Sequence, residues 1–320
     1  MQTAQYSEAT VLLFDRQQAV RRQTRSILNV LGFKSFQEFS DLEAARHALS
    51  NHHIEVVVLA LETEDCGVLN LIQDIRGGRH GLDPFVPILL TTWDAKMKAL
   101  KPVIGAGADD ILLYPFSTTQ MGQRIEALTR QRKPFVISED YFGPDRRSAS
   151  ALLADPTSIV VPNGLAARSL GRQDMAPNTA RIEEALAELR RLKLRNIARR
   201  IWFLADNLKA ALPDPSLPDR YDRELAKIQK SVRGFGTALM PSDPADLTTL
   251  YDSLSGVLTG LFGQPADAKG LFLLEQSALA LRVASKLDHE GGDAGDAISD
   301  AVAETSRMQG DVIRAAWYNT

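Results

Sequence analysis

The side chains best suited to hold a charged ligand in this sequence are arginines, and they fall in two groups. The segment FGPDRRS (142–148) sets Asp145, Arg146 and Arg147 in a compact turn. Two adjacent guanidinium forks suit a phosphate or a carboxylate; docking of that turn onto a neighbouring domain is the plainer use. The second group is Arg190, Arg191, Lys193, Arg195, Arg199 and Arg200, with no acid between them. Such a run could face an acidic protein, a nucleotide or RNA. It could equally be a solvated helix face paired with Glu183, Glu184 and Glu188. At ~100° per residue the six cations spread around much of a helix, which weakens a single binding face.

Other chemistries lack their residues. After residue 180 the single histidine is His289, beside Glu290-Gly291-Gly292. A phosphotransfer bundle needs an exposed histidine in mid-helix, so that role is not expected. Cys66 is the only cysteine, which excludes an internal disulfide and a cysteine-based metal cluster. There is no Gly-rich phosphate loop, no metal-ligand cluster and no signature of cyclic-dinucleotide synthesis or hydrolysis. No helix-turn-helix with a basic recognition helix stands out, so nucleic acid is not an expected partner. The expectation is a non-enzyme without cofactor or metal.

The elements that position these residues divide the chain. Residues 10–132 alternate short apolar runs with amphipathic stretches. Strands are expected at 11–14, 33–39, 54–61, 86–90 and 110–113, and helices at about 17–31, 68–76 and 94–104, with two more opening at Ser40 and Ser117. The run IEVVVLAL (54–61) is apolar on both faces, as a buried parallel strand should be. Ser40 with Glu43, and Ser117 with Gln120, have capping-box spacing. Five strands alternating with five helices give an α/β doubly wound, five-stranded parallel sheet of flavodoxin-like type. Chemistry in such a sheet sits beyond the carboxyl ends of the strands. That rule selects Asp15, Arg16, Ala60, Thr92 and Tyr114.

Residues 133–179 carry Pro134, Pro144, Pro156, Pro162, Pro177 and several glycines, and no period survives. They read as a linker, partly docked by Phe135, Tyr141 and Phe142. Residues 180–320 read as an all-α bundle, with helices at about 181–212, 218–240, 245–262, 267–287 and 293–317. Short Pro and Gly turns between the last four favour antiparallel packing. There is no internal repeat.

Residues 10–132 resemble the receiver domain of two-component response regulators. VLLFDRQ (11–17) is similar to that family's first strand and acidic turn. PILLTTW (87–93) is similar to its fourth strand, which ends in a hydroxyl residue. GADDILLYPF (107–116) is similar to its GADDYLxKPF run. The separations suit it too: 45 residues from Asp15 to Ala60, and 22 from Thr92 to Tyr114.

The resemblance implies a site and shows what is missing from it. In that family two acids after the first strand and an aspartate ending the third hold Mg²⁺, and the last of these takes the phosphoryl group. A hydroxyl residue after the fourth strand and a lysine after the fifth bind the phosphoryl oxygens. Here Asp15 and Thr92 match. Arg16 replaces the second acid, Ala60 replaces the acceptor, Tyr114 replaces the lysine, and Ile111 replaces the aromatic residue that reports the phosphorylated state. Glu62, Glu64 and Asp65 follow the third strand, but moving any of them to its end would break the 45-residue spacing. Arg16 is either a surface residue on a turn or a substitute cation paired with Asp15. Tyr114 is expected to pack over the empty pocket, and the resemblance implies a cis peptide at Tyr114–Pro115.

The remaining totals set the class. The chain has 320 residues, 44% hydrophobic and 24% charged, with a formal net charge of −3 and a pI near 6.0. That is the composition of an ordinary globular protein without bulk attraction to nucleic acid. No leader is evident and no apolar run nears the ~18 residues of a membrane span, so a soluble, cytoplasmic bacterial protein is expected. The reading is a degenerate receiver over 1–132, a linker and a helical domain. It would act as a phosphorylation-independent signalling adaptor through protein–protein contacts. Its partner face would be the fourth helix, fifth strand and fifth helix (about 95–130), and the helical domain would bind a second partner or self-associate. The alternative is a phosphate-ligand-binding regulator, for a cyclic dinucleotide or RNA, using the arginine-rich segments.

Overall fold

The computed structural model describes residues 5–62, 66–79, 83–94, 102, 105–138, 141–147, 158–211 and 217–285. Five strands, β1 (Thr10–Phe14), β2 (Ser35–Phe39), β3 (Val56–Leu61), β4 (Ile88–Thr92) and β5 (Asp110–Leu113), form one sheet in the order β2-β1-β3-β4-β5. All pairings are parallel. This is the expected receiver-type architecture. Helices α1 (Gln18–Val30), α2 (Leu42–Asn51), α3 (Cys66–Arg76) and α4 (Thr118–Arg130) flank it. The helix expected at 94–104 falls largely outside the described residues.

Alternation along the strands builds two cores. Leu12, Phe14, Val57, Leu59, Ile88 and Leu90 face α2 and α3, meeting Ala45, Ala48, Val68, Leu71, Ile72 and Ile75. Val11, Leu13, Val56, Val58, Leu89 and Leu112 face the other way, onto Leu28 of α1 and Met121, Ile125 and Leu128 of α4. Each fully buried side chain of this size contributes about 1.5–3 kcal/mol. The central strands are therefore apolar on both faces, and their register is fixed. Ser117 caps α4 through a complete capping box with Gln120. On α2 the cap is Asp41, not Ser40: its carboxylate accepts from the Ala44 amide at 2.8 Å. A charged cap at the positive end of the helix is favoured over a hydroxyl one residue too early.

Residues 133–179, expected as a linker, are built into the first of two compact units, Met1–Leu189 and Arg190–Thr320. They form an antiparallel pair, β6 (Phe135–Ile137) with β7 (Phe142–Pro144), and a short helix α5 (Gly164–Leu170). The physical reason lies beneath the sheet, at the amino ends of β4 and β5. There Asp109 is fully buried and accepts from Arg76 Nη2 at 2.7 Å and from Arg132 Nε at 2.7 Å. The Ile88 amide donates to the same carboxylate at 2.8 Å. Arg76 is itself buried and spends its remaining donors on the carbonyls of Gly107, Pro84 and Val86 at 2.7–2.8 Å. Both guanidinium groups lie over the Phe135 ring, 5.1 and 4.9 Å from its centre. Arg132 Nη1 also reaches the Pro162 carbonyl, and Asn163 Nδ2 donates to the Leu128 carbonyl at 2.8 Å. Gly107, at φ +97°, admits the Phe142 carbonyl so closely that a Cβ would sit 2.5 Å from it.

Burial pulls the Arg76 guanidinium down to about 10, against the pull of Asp109, so it stays charged at neutral pH. Burial pushes Asp109 up, but the charges of Arg132 and Arg76 outweigh it and hold the carboxyl below the usual range.

The long helix α6 (Thr179–Ala210) starts in the first unit, where Ile182, Ala185 and Leu189 pack with Phe85, Phe135 and Val161. The unit boundary thus lies inside a helix, the second unit starting ten residues past the expected position of 180. In the second unit, the rest of α6 shares one core with α7 (Leu217–Ala238), α8 (Ala245–Leu261) and α9 (Ala268–Ala284). Leu247, Leu250, Leu254, Leu258 and Leu261 give α8 a single buried stripe at helical spacing. Gly236 of α7 lies against the Tyr251 ring of α8, with no room for a Cβ. The helix expected at 293–317 is outside the described residues. No described helix is long and apolar enough to cross a membrane.

The Asp109 cluster makes a prediction. Asp109→Asn leaves two buried guanidinium groups without their counter-charge and costs about 3–5 kcal/mol. Hydrogen exchange of the β4 and β5 amides in the full chain reads it; unchanged protection would refute the role. The depressed carboxyl pKa means that Asp109 stabilises fully above its unfolded value of about 3.9 and loses that contribution as pH falls through the folded value. The gap between wild type and Asp109→Asn should therefore close in acid.

Candidate functional site: the carboxyl ends of the strands

Four of the six candidate pocket residues lie at the carboxyl ends of β1, β3, β4 and β5. Asp15 follows β1 and is buried; its amide donates to the Phe39 carbonyl at 3.1 Å. Asp15 Oδ1 accepts from the Gln17 amide at 2.8 Å, and Arg21 Nη1 donates to the Asp15 carbonyl at 2.6 Å. Burial raises the Asp15 carboxyl pKa, partly offset by the Gln17 bond and the Arg21 charge, while Glu62 raises it further. Thr92 ends β4, buried, and its Oγ1 accepts from the Asp94 amide at 3.2 Å. Ala60 lies in β3 directly beside Thr91 of β4, with Leu61 beside Thr92.

Tyr114 follows β5. Its amide donates to the Thr92 carbonyl at 2.8 Å, and its hydroxyl lies 3.2 Å from Thr24 Oγ1 on α1. Its ring sits between Trp93 and Phe116, with centroids 4.8 and 4.6 Å away and planes within 20° and 29°. Burial raises the Tyr114 pKa. The Tyr114–Pro115 peptide is cis.

Arg16 and Ile111 point elsewhere. The half-exposed Arg16 side chain has Nη1 3.6 Å from Glu62 Oε2 and its guanidinium 5.9 Å over the Phe14 ring. The guanidinium whose charge bears on Asp15 is that of Arg21. Ile111 pairs with Leu90 in the sheet and packs on the α2/α3 core. Glu64 and Asp65 lie outside the described residues.

The donor set does not fit Mg²⁺. A hard dication needs several oxygen ligands. At the three positions in question this chain offers one carboxylate, one guanidinium and one methyl group, and half of the carboxylate already serves the Gln17 amide.

Three of the eight candidate cations have partners inside the fold. Arg146 donates from Nη1 to the Asp109 carbonyl at 3.1 Å and from Nη2 to the Ala108 carbonyl. Arg147 grips Asp145 through Nε at 3.0 Å and Nη2 at 2.6 Å. Arg190 is bidentate on Asp243 at 2.6 and 2.8 Å, which holds that carboxyl below the usual range. Arg191, Arg199 and Arg200 are exposed on α6, whereas Lys193 and Arg195 are half-buried on it. Arg146 and Arg147 thus hold groups within the first unit. Asp109, Arg76 and Arg132 were not singled out from the sequence. The partners of Asp109 lie 33 and 23 residues away along the chain.

Comparison with known proteins agrees with the geometry. Residues 11–126 match the model of the response regulator receiver domain. The two-component response regulator PhoP of Pseudomonas aeruginosa is 32% identical over 108 residues, covering 32% of this chain and 44% of that protein. The response regulator MprA of Mycobacterium tuberculosis is 28% identical over 193 residues, covering 60% of this chain and 78% of MprA. This chain therefore spans less than half the length of that PhoP. Among solved structures, chemotaxis protein CheY4 of Vibrio cholerae overlays with 18% identity and a TM-score of 0.33, over 37% of this chain and 96% of CheY4. The orphan response regulator HP1043 of H. pylori does so with 20% identity and a TM-score of 0.32, over 38% and 96%. Residues 11–126 are a receiver domain of the response-regulator family.

Two substitutions test the site. The raised Asp15 pKa means that the folded state disfavours its charge. That cost grows as pH rises from about 3.9 to the folded value and is constant above it. Asp15→Asn, which keeps an acceptor for Gln17, should raise the melting temperature at pH 7 and leave it unchanged below about pH 4. A drop at pH 7 would contradict this. Arg146→Ala leaves two backbone carbonyls short of a donor and should cost roughly 1–3 kcal/mol; a fully stable variant would reopen the ligand role.

Proposed function

We propose that this chain is a non-catalytic, phosphorylation-independent signalling adaptor of the two-component response-regulator type, working through protein–protein contacts. The observation that carries the reading is the place of Ala60, whose methyl stands in β3 beside Thr91 where the family carries its phosphoryl acceptor. Arg16 at the metal turn and Tyr114 in place of the phosphate-binding lysine support it independently. The family's acid–metal–lysine arrangement needs all three, and each replacement alone would cripple phosphoryl transfer.

The partner face of this reading is the one formed by the family's fourth helix, fifth strand and fifth helix. Its described part is β5 and α4, with Leu113 as an exposed apolar side chain. The helical unit supplies a second contact, to another protein or to a second copy. The phosphate-binding alternative loses support because Arg146, Arg147 and Arg190 are engaged internally.

Incubating the full chain with acetyl phosphate and Mg²⁺ should add no mass, and intact-protein mass spectrometry reads this directly. A stoichiometric phosphoryl adduct would overturn the reading. In affinity capture with the full chain, a protein partner should stay bound through a high-salt wash. Release of nucleic acid by salt, with no protein retained, would favour phosphate contacts instead, because those weaken steeply with ionic strength.

A further inference from the structure

We infer that Trp93, Tyr114, Phe116 and Thr24 form an aromatic latch that fixes the receiver's β4 and β5 ends in one arrangement and holds the Trp93 indole outward. This inference rests on the phosphorylation-independent reading and names the device that replaces the switch. Phe116 is rooted in the core with Met121 and Ile125. Tyr114 stacks on it at 4.6 Å, and Trp93 stacks on Tyr114 at 4.8 Å. The stack runs from the buried core to solvent, where Trp93 is 59% exposed. The hydroxyl of the middle ring reaches Thr24, which is buried on α1, at 3.2 Å. Three elements that meet at the site are thus tied through one side chain: the end of β4, the end of β5 and α1.

The chemistry of Tyr114 explains why a lysine would not do this. An ammonium group is strongly hydrated and moves on a flexible stem, whereas a phenol ring stacks and keeps one orientation. Offset stacking adds about 0.5–1.5 kcal/mol per pair beyond area burial. Tyr114 is a positioning residue here; it touches no reacting atom. The outcome is a large, rigid indole presented at the surface at little entropic cost, the kind of side chain that anchors protein interfaces.

The test is ¹⁹F NMR of the full chain labelled with 5-fluorotryptophan. The sequence has three tryptophans, so Trp93→Phe assigns the Trp93 line. In the wild type that line should be single and sharp. Tyr114→Phe keeps the stack and should keep the line. Tyr114→Leu, which fills space without a ring, should shift and broaden it, or split it, while the other two lines stay in place. The Trp202 line reports the second unit, and amide hydrogen exchange in β1 and β3 shows that the receiver is still folded. An unchanged Trp93 line in Tyr114→Leu would overturn the latch. Adding acetyl phosphate and Mg²⁺ to the wild type separates the two claims. A new Trp93 line together with a mass adduct would sink the phosphorylation-independent reading, whereas silence in Tyr114→Leu sinks the latch alone.

Discussion

Beneath β4 and β5, two guanidinium groups share one carboxylate with almost no water. Buried charge is costly, and a buried pair often does no better than apolar packing. This cluster persists because nearly every donor is used. Arg76 feeds three backbone carbonyls besides Asp109, and Arg132 reaches across to Pro162. Those bonds do what regular secondary structure cannot. They tie the end of α3, the entries to β4 and β5, the end of α4 and Pro162 into one piece. The Phe135 ring, with a cation on it from each arginine, closes the arrangement. Removing the carboxylate would set two buried positive charges against each other, so the rest of the first unit depends on it.

With the amino ends of the strands fixed in this way, the carboxyl ends carry the functional meaning. They are built from the same loops that would hold a metal and a phosphoryl group in a working receiver, but with different chemistry. Asp15 stays buried at an electrostatic cost, its charge eased by Arg21 and the Gln17 amide. Tyr114 fills the neighbouring space with a ring and a hydroxyl that find partners on both sides. In the proposed adaptor, packing at this site would take the place of the switch.

Much of this was legible in the sequence where the signal is local. IEVVVLAL could be placed as a central strand because it is apolar on both faces. Ser117 with Gln120 gave a cap that the structure contains, and the spacing around Asp15, Ala60, Thr92 and Tyr114 set the site. What failed was what depends on distant partners. Residues 133–179 show no period because their elements are three to seven residues long, held by contacts such as the Phe135 amide to the Ile159 carbonyl. Asp109 gave no local signal because Arg76 and Arg132 are remote in the chain. Arg146 and Arg147 left ligand binding and docking both open because a guanidinium fork serves a backbone carbonyl as readily as a phosphate. Arg16 left two readings open, and the structure sets its guanidinium beside Glu62.

The central claim is that this receiver pocket takes neither Mg²⁺ nor a phosphoryl group. The most direct measurement is an amide NMR titration of the full chain with Mg²⁺, then with beryllofluoride, a phosphoryl mimic, following Asp15, Ala60 and Thr92. The account predicts no saturable shift at these amides. Saturable shifts centred on them would contradict it and return the domain to the phosphorylation-responsive class.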